Sequence, residues 1–437
     1  FKNSNPYSPA LGNGRQDSHE PNRMSSTTNT DTLIIGGGII GVSIASQLGD
    51  RDVTILDSGA PKYGTSIGNA GHVVVSHAQP FAAPGMIGMG AKSLLAADGA
   101  FAFGTKLPAN AAPWIAQFVR NCTKANVKKF TPGIHSLLRS SAELIKASGI
   151  TTTSTSTWEV FTAKNSEQRA RAEFEHLTHL GIQARVVDRS EALETEPSLY
   201  NRVQAVVELG EDFGLDPHEL WQHLRNVNPN LTFHSNQSAT QITRERQLYR
   251  VITAAGMEFT ARNIVIAAGA WSREVGKLLG INIALMAAKG YSVTVPMGSA
   301  DSEFPNSVHP MILSDEKTAT NPLGEWLRMS ARFELTNPND RELNHKRVQH
   351  LYTRAATVLK LPPIPTDLAA LSPWTGLRPA SADGAPFIGP VPNLPGVYLA
   401  TGHGMIGTAL SLGTGDLIAR HLEHQKISWS ELALSPR

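Results

Sequence analysis

Cysteine is almost missing from this chain: Cys122 is the only one in 437 residues. A single thiol excludes an intrachain disulfide framework and a cysteine metal cluster, and it fits a reducing compartment. Charge of one sign is missing too. Lys and Arg number 39 against 37 Asp and Glu, a formal charge of +2, and no cationic stripe is interleaved with aromatics. That balance gives no case for nucleic-acid binding. No apolar run is long enough to span a bilayer. The nearest, 33–48, is interrupted by glycines. Residues 1–29 are polar and lack the apolar core of a secretory signal. They are expected to be a disordered or non-native leader, with Met24 the natural start. What remains, 41% hydrophobic and 17% charged, is the composition of a folded domain long enough for two cores.

The most informative stretch is Asp31-Thr32-Leu33-Ile34-Ile35-Gly36-Gly37-Gly38-Ile39-Ile40-Gly41, followed by a second apolar run that ends in Asp57. It reads as strand, glycine turn, helix and strand. Gly36 permits the tight turn, Gly38 lets a pyrophosphate approach the backbone, and Gly41 lets helix and strand pack closely. A helix opening at Gly38, with Ile39 and Ile40 in its first turn, aims unpaired N–H groups at that pyrophosphate. Asp57, with Ser58 after it, stands where a carboxylate accepts hydrogen bonds from a ribose. These residues predict a dinucleotide site.

Downstream, apolar spacing predicts helices over 134–147, 166–180, 217–227 and 341–359. Strands are expected at 158–161, within 232–243, at 249–253, 263–271, 291–296, 311–313 and 326–330. Residues 208–217 read as a turn-rich crossing, and 361–365 is a proline-rich link. His218 and His223 are one residue too far apart to share a helical face as zinc ligands. His176 and His179 lie on a charged helix and read as surface residues.

Four segments taken in order carry a family resemblance. They are the opening fingerprint; 263–271, with Ala268 and Gly269; 374–384, with Gly376-Leu377-Arg378-Pro379 and Asp383; and Thr401-Gly402-His403-Gly404-Met405-Ile406-Gly407. Together they resemble the FAD-dependent amine and amino-acid oxidoreductases of the D-amino-acid oxidase superfamily, and within it the D-amino-acid dehydrogenase small-subunit group. Thr65-Ser66, Asn69-Ala70-Gly71, Lys289-Gly290-Tyr291-Ser292 and Arg328 with Glu334 match the same group's pattern. The resemblance covers about 30–422.

It implies FAD as cofactor, held by Gly36, Gly38, Ile39, Ile40, Gly41, Asp57 and Ser58, by Ser66, Asn69, Ala70 and Gly71, by Ala268 and Gly269, and by Gly402 to Gly407. The last group opens a helix expected over 406–421, whose dipole would stabilise charge on the reduced flavin edge. Arg378 is implied as the bidentate ligand of the substrate carboxylate; the alternative is an ion pair with Asp383. Tyr291 either adds a hydrogen bond to that carboxylate or packs. His403 either tunes the flavin or holds the turn. His72 could lie near the ring, where relatives usually carry glutamine. Arg328 and Glu334 either line the pocket or pair across the sheet. Met405 and Ile406 stand where glycine oxidase-like relatives have an arginine, which argues against glycine and for an apolar side-chain pocket.

The expected fold is α/β. A discontinuous Rossmann-like FAD-binding domain (30–80, 200–280 and 365–425) carries an inserted substrate domain of antiparallel sheet and helices (81–199 and 281–364), and 426–437 form a tail. The expected reaction is oxidative deamination of a D-amino acid to a 2-oxo acid, Arg378, Tyr291 and His403 being the catalytic set. Electrons would pass to a quinone or electron-transfer protein. Oxidation of D-proline, hydroxy-D-proline or sarcosine, a role as flavin-binding subunit of a hetero-oligomer, and an NAD-dependent dehydrogenase are the alternatives. The expected location is the cytoplasm, with peripheral attachment to the inner membrane left open.

Overall fold

The computed structural model describes residues 27–59, 64–95, 99, 101–104, 106–299 and 302–437. Most of the expected leader lies outside the described residues; Thr28 and Asn29 already belong to a strand. The chain is a mixed α/β structure built on two large sheets.

In the first sheet β1 (Thr28–Ile35) and β2 (Val53–Leu56) run parallel, with Ile35 opposite Leu56. Leu231–His234 extends the sheet beyond β2, and Glu258–Ile266 then Val397–Thr401 extend it beyond β1, all in parallel. Every residue of β2 is buried, as a strand covered on both faces requires. Antiparallel strands Ala239–Glu245, Leu248–Thr253 and Phe387–Pro390 complete it. Helix α1 (Ile39–Gln47) is buried from Ile39 to Ser46 because the helices Ser411–Leu422 and Pro217–Arg225 both pack on it. A Cβ on Gly415 would lie 2.5 Å from the Ser43 carbonyl, so glycine sets how closely the first two approach.

The second sheet is mostly antiparallel. Its order is Trp374–Ser381, Leu285–Pro296, Trp326–Thr336, Thr318–Leu323, Met311–Leu313, Thr157–Phe161, Ala205–Leu209 and Ala184–Val187. Phe101–Phe103 adds in parallel to Trp326–Thr336.

Several expected boundaries need correction. Ala205–Leu209 and Trp374–Ser381, expected in the FAD-binding part, belong to the second sheet; the latter pairs with Leu285–Pro296 over its whole length. The helix expected at 134 begins at Lys124, where the Thr123 hydroxyl accepts from the Asn126 amide, and it runs through Pro132. Its Phe130, Ile134 and Leu138 enter the core around α1, so this stretch of 81–199 packs with the dinucleotide layer. The expected tail also joins that core: Trp429–Leu432 is a short helix with a capping box at Ser428, and Leu434 is fully buried. The strand expected over 263–271 ends at Ile266, and Gly269, at φ +54°, opens a 3₁₀ turn to Trp271. Thr318–Leu323, hidden by Asn321 and Pro322, reads as no strand from sequence yet pairs on both sides.

Among the described residues no helix is long and apolar enough to cross a membrane, and no group of His, Cys, Asp and Glu is arranged to hold a metal.

Candidate active site

A cavity of about 630 Å³ opens outside the carboxyl ends of β1, β2 and Glu258–Ile266 and reaches across to the second sheet. That is where an open α/β sheet binds ligands, and the volume suits a cofactor or substrate site. At one end lie Gly36, Gly37 and Gly38, Ile39, Ile40, Asp57 and Ser58. Gly36 has φ +117°, and a Cβ there would lie 2.4 Å from the Ala267 carbonyl oxygen. A Cβ on Gly41 would lie 1.9 Å from the Gly36 carbonyl. The turn therefore closes only with glycine at both positions. Gly41 is thus behind the cavity wall, as its packing role demands. The Asp57 carboxylate accepts from the amides of Gly37 (2.7 Å) and Gly59 (2.9 Å), which fixes it at the cavity edge. Gly37 is further held by Trp221, whose indole N–H donates to its carbonyl at 2.8 Å.

The middle of the cavity is walled by Ala268 and Gly269 on one side and by Ser66, Gly68 and Asn69 on the other. Asn69 accepts from the Gly71 amide at 2.7 Å. Arg328 donates to the Ile67 carbonyl at 2.9 Å and so holds this loop, and Glu334 meets Arg347 at 3.3 Å. Ala70 and Gly71 lie behind the wall, Gly71 against the Leu215 carbonyl. His72 is also outside the lining. Its Nε2 bonds to the Thr320 carbonyl at 2.8 Å, and burial lowers its pKa to about 4.

The far end joins Arg378, Gly290, Ser330 and Trp374 of the second sheet to His403, Gly404, Met405 and Gly407. The two sides are tied together, since the Gly404 amide donates to the Pro379 carbonyl at 2.9 Å. Gly402 and Ile406 sit outside the lining, and Met405 is exposed. The helix expected at 406 begins at Ser411 instead. The Ser411 amide and hydroxyl both go to the Thr408 carbonyl, drawing that turn out of the regular ladder.

His403 is buried, its Nε2 lies 3.1 Å from the Thr414 hydroxyl, and desolvation lowers its pKa to about 3. It is therefore a neutral ring joining the glycine turn to the following helix. His72 and His403 share one consequence. Their folded pKa values lie below the ordinary 6.5, so the unfolded chain binds more protons in between. Stability is full above 6.5 and falls as pH drops from there towards 3–4. A His72→Asn, His403→Asn double variant should show a flatter melting temperature across that window; an equal slope would assign acid sensitivity to other groups.

Arg378 lines the cavity, and burial lowers its pKa to about 10, so it stays charged at neutral pH. Its Nη1 donates to the Arg332 carbonyl, and it has no carboxylate partner among the described residues. Asp383, its expected alternative partner, pairs instead with Arg437 at 2.5 Å. The guanidinium lies over Gly290, where a Cβ would come within 2.3 Å of Nη1. Gly290→Ala should thus displace Arg378 and raise KM about tenfold with flavin content unchanged, as a misplacement of about an ångström can. A normal KM would show that the guanidinium has room to move.

Tyr291 is on the other face of the same strand. With Val293 and Val295 it packs against Leu351 and Tyr352, away from the cavity, and its hydroxyl finds no partner among the described residues. The residue before it faces the site. Sequence reasoning also passed over Trp374, whose indole occupies the space that side chains on Gly68 and Gly376 would fill.

A dinucleotide fits this cavity. The Cβ positions of Gly38, Gly269 and Gly404 meet no atom within 4 Å, so these glycines leave open space along its length, while Asp57 waits at one end. The model of FAD-dependent oxidoreductases of the DAO family matches residues 31–421. The chain belongs to that family. Its cofactor is FAD, and it is an oxidoreductase.

Among DAO-family relatives, a D-amino acid dehydrogenase of Bradyrhizobium diazoefficiens is 29% identical over 90% of this chain and 95% of its own. D-amino acid dehydrogenase 2 of Ralstonia nicotianae is 27% identical over 88% and 95%. Glycine oxidase from Geobacillus kaustophilus superposes with a TM-score of 0.68 at 20% identity, over 94% of this chain and 98% of that one. At that identity the last likeness speaks for the fold alone.

Proposed function

We propose that this chain oxidises D-amino acids to 2-oxo acids and ammonia. The observation that carries the proposal is Arg378, a half-buried guanidinium that lines the cavity and has no carboxylate partner among the described residues. A substrate carboxylate would supply the missing anion in two-pronged geometry. FAD, when bound, supplies the two-electron oxidant by accepting hydride from the substrate Cα at its N5.

The residues of the chain bind and orient. Among the described residues, the titratable groups lining the cavity are Asp57, Glu274, Arg341, Arg378 and His403. Asp57 is held by two amides and His403 is engaged with Thr414. Glu274 is exposed and follows the Trp271 turn. None of these supplies a base beside Arg378, which supports a reaction driven by the substrate's own neutral amine. The resulting imino acid adds water and loses ammonia in solution. The reaction rate should then rise with pH as the amine loses its proton.

The name dehydrogenase borne by the relatives supports an acceptor other than dioxygen, a quinone or an electron-transfer protein. A quinone acceptor would be met at the inner-membrane surface, so peripheral attachment belongs to the same proposal.

The test is dye-linked turnover of the purified, FAD-loaded chain with D-amino acids, their L-enantiomers, D-proline, hydroxy-D-proline and sarcosine, with the 2-oxo acid and ammonia assayed. Turnover confined to primary D-amino acids is the expected result. Preference for the cyclic or N-methyl amines would move the substrate class. Inactivity of the loaded chain alone would point to a subunit that needs its partner.

A further inference from the structure

The strand Leu285–Pro296 pairs in register with Trp326–Thr336 as far as Lys289 opposite Glu334, then resumes at Tyr291 opposite Ala331. Arg332 and Phe333 therefore bulge across from Gly290 alone. Inside the bulge Arg332 has φ +75°, a left-handed backbone in a buried residue that is not glycine. That conformation turns its carbonyl towards Arg378, whose Nη1 donates to it. Gly290 forms the opposite wall, since its missing Cβ is the space the guanidinium occupies. Arg332's own guanidinium donates to the Gly99 carbonyl, and its Nη2 lies 3.4 Å from His350 Nδ1. Gly99 leads into Phe101–Phe103, which pairs with the bulged strand at Phe333, so the anchor and the bulge belong to one unit. Arg332 itself does not line the cavity.

We infer that Arg332 is a positioning residue for Arg378: the left-handed bulge presents the carbonyl that fixes one edge of the Arg378 guanidinium, and the Arg332 side chain locks that bulge to Gly99. One edge of Arg378 is thereby satisfied by backbone, and the other is left to face the cavity. Without the carbonyl the guanidinium gains rotamers that point away from a substrate carboxylate, and the loss appears in binding before it appears in chemistry. The inference rests on the proposed carboxylate-binding role of Arg378.

The experiment compares Arg332→Ala, Arg332→Gly and Arg332→Lys in the FAD-loaded protein. Propionate, a bare carboxylate, is titrated while the visible flavin band is followed, and KM and kcat are measured with the best D-amino acid of the panel. Glycine adopts the left-handed backbone without strain, and lysine keeps a cation that can reach the Gly99 carbonyl. Arg332→Ala should weaken propionate and raise KM together, by about tenfold, with kcat within about threefold. Arg332→Gly should lie between Ala and the parent, and Arg332→Lys should recover most of the loss. Parental propionate affinity in Arg332→Ala, or a fall in kcat alone, would overturn the inference. If the alanine variant does not fold, equal affinities in the parent, Gly and Lys variants overturn it as well. Arg378→Met is titrated alongside. Undiminished propionate binding in that variant would sink the carboxylate reading itself, whereas binding lost there but kept in Arg332→Ala would sink only the positioning role.

Discussion

Replacing Arg378 by Met should cut turnover by about two to three orders of magnitude while leaving the flavin in place and the fold no less stable. The two halves of that result have one cause. Arg378 carries its charge deep in the cavity wall, with the Arg332 carbonyl as its hydrogen-bond partner and its pKa lowered to about 10 by burial. A half-buried charge with no carboxylate partner among the described residues is a cost to the folded state, and an apolar residue of similar length removes it. The melting temperature of the substrate-free protein should therefore hold or rise by a few degrees. The substrate's carboxylate would then lose the guanidinium partner that lies over Gly290, which costs roughly 3–4 kcal/mol, or about 10²–10³-fold in kcat/KM. An active Arg378→Met enzyme would refute the role. A variant that lost both flavin and fold would show that the residue is structural.

Gly38→Ala should do the reverse, sparing the polypeptide and losing the cofactor. Gly38 has φ −70°, which alanine adopts freely, and its Cβ would meet no protein atom within 4 Å. The apo fold has no reason to change. The empty space faces the cavity at the opening of α1, where the pyrophosphate is expected, and a methyl group there would hold the phosphates away from the helix amides. FAD content after purification should fall to a small fraction of the parent's, with the apo-protein melting curve unchanged. The contrast with Gly41→Ala is informative. There the new methyl would collide with the Gly36 carbonyl, so the turn itself should fail. Full flavin loading of Gly38→Ala would mean that the pyrophosphate lies elsewhere.

The dinucleotide half of the cavity could be read from sequence because its chemistry is local. Gly36, Gly38, Gly41 and Asp57 fall within one strand–helix–strand unit, and the glycine spacing alone sets the turn geometry. The substrate half was only partly readable because it is assembled from distant strands. Tyr291 illustrates the difficulty. The segment around it was the right one, but successive residues of a strand face opposite ways, so an error of one position moves the choice from cavity to core. Gly290 carried a usable signal, since glycine within a strand marks a close approach by another group. Arg332 carried none. Its left-handed backbone follows from a register shift between two strands that no local pattern announces. The boundary errors have a similar origin. Trp374–Ser381 comes just before the last strands of the first sheet in the chain, yet it pairs with the second, and that pairing is what brings Arg378 to the cavity.

Anaerobic stopped-flow bleaching of the flavin band tests the central claim most directly, using one D-amino acid, its L-enantiomer and the carboxamide of the D form. The acid and the amide carry the same reacting amine and Cα–H, and the amide's more acidic ammonium favours the neutral amine, so slower bleaching by the amide reports the missing anion that Arg378 is proposed to bind. Rapid bleaching by the D-acid, with the L-acid inert and the D-amide slower by about 10²-fold, is the predicted result. Equal bleaching by acid and amide, or bleaching by the L-acid, would contradict it.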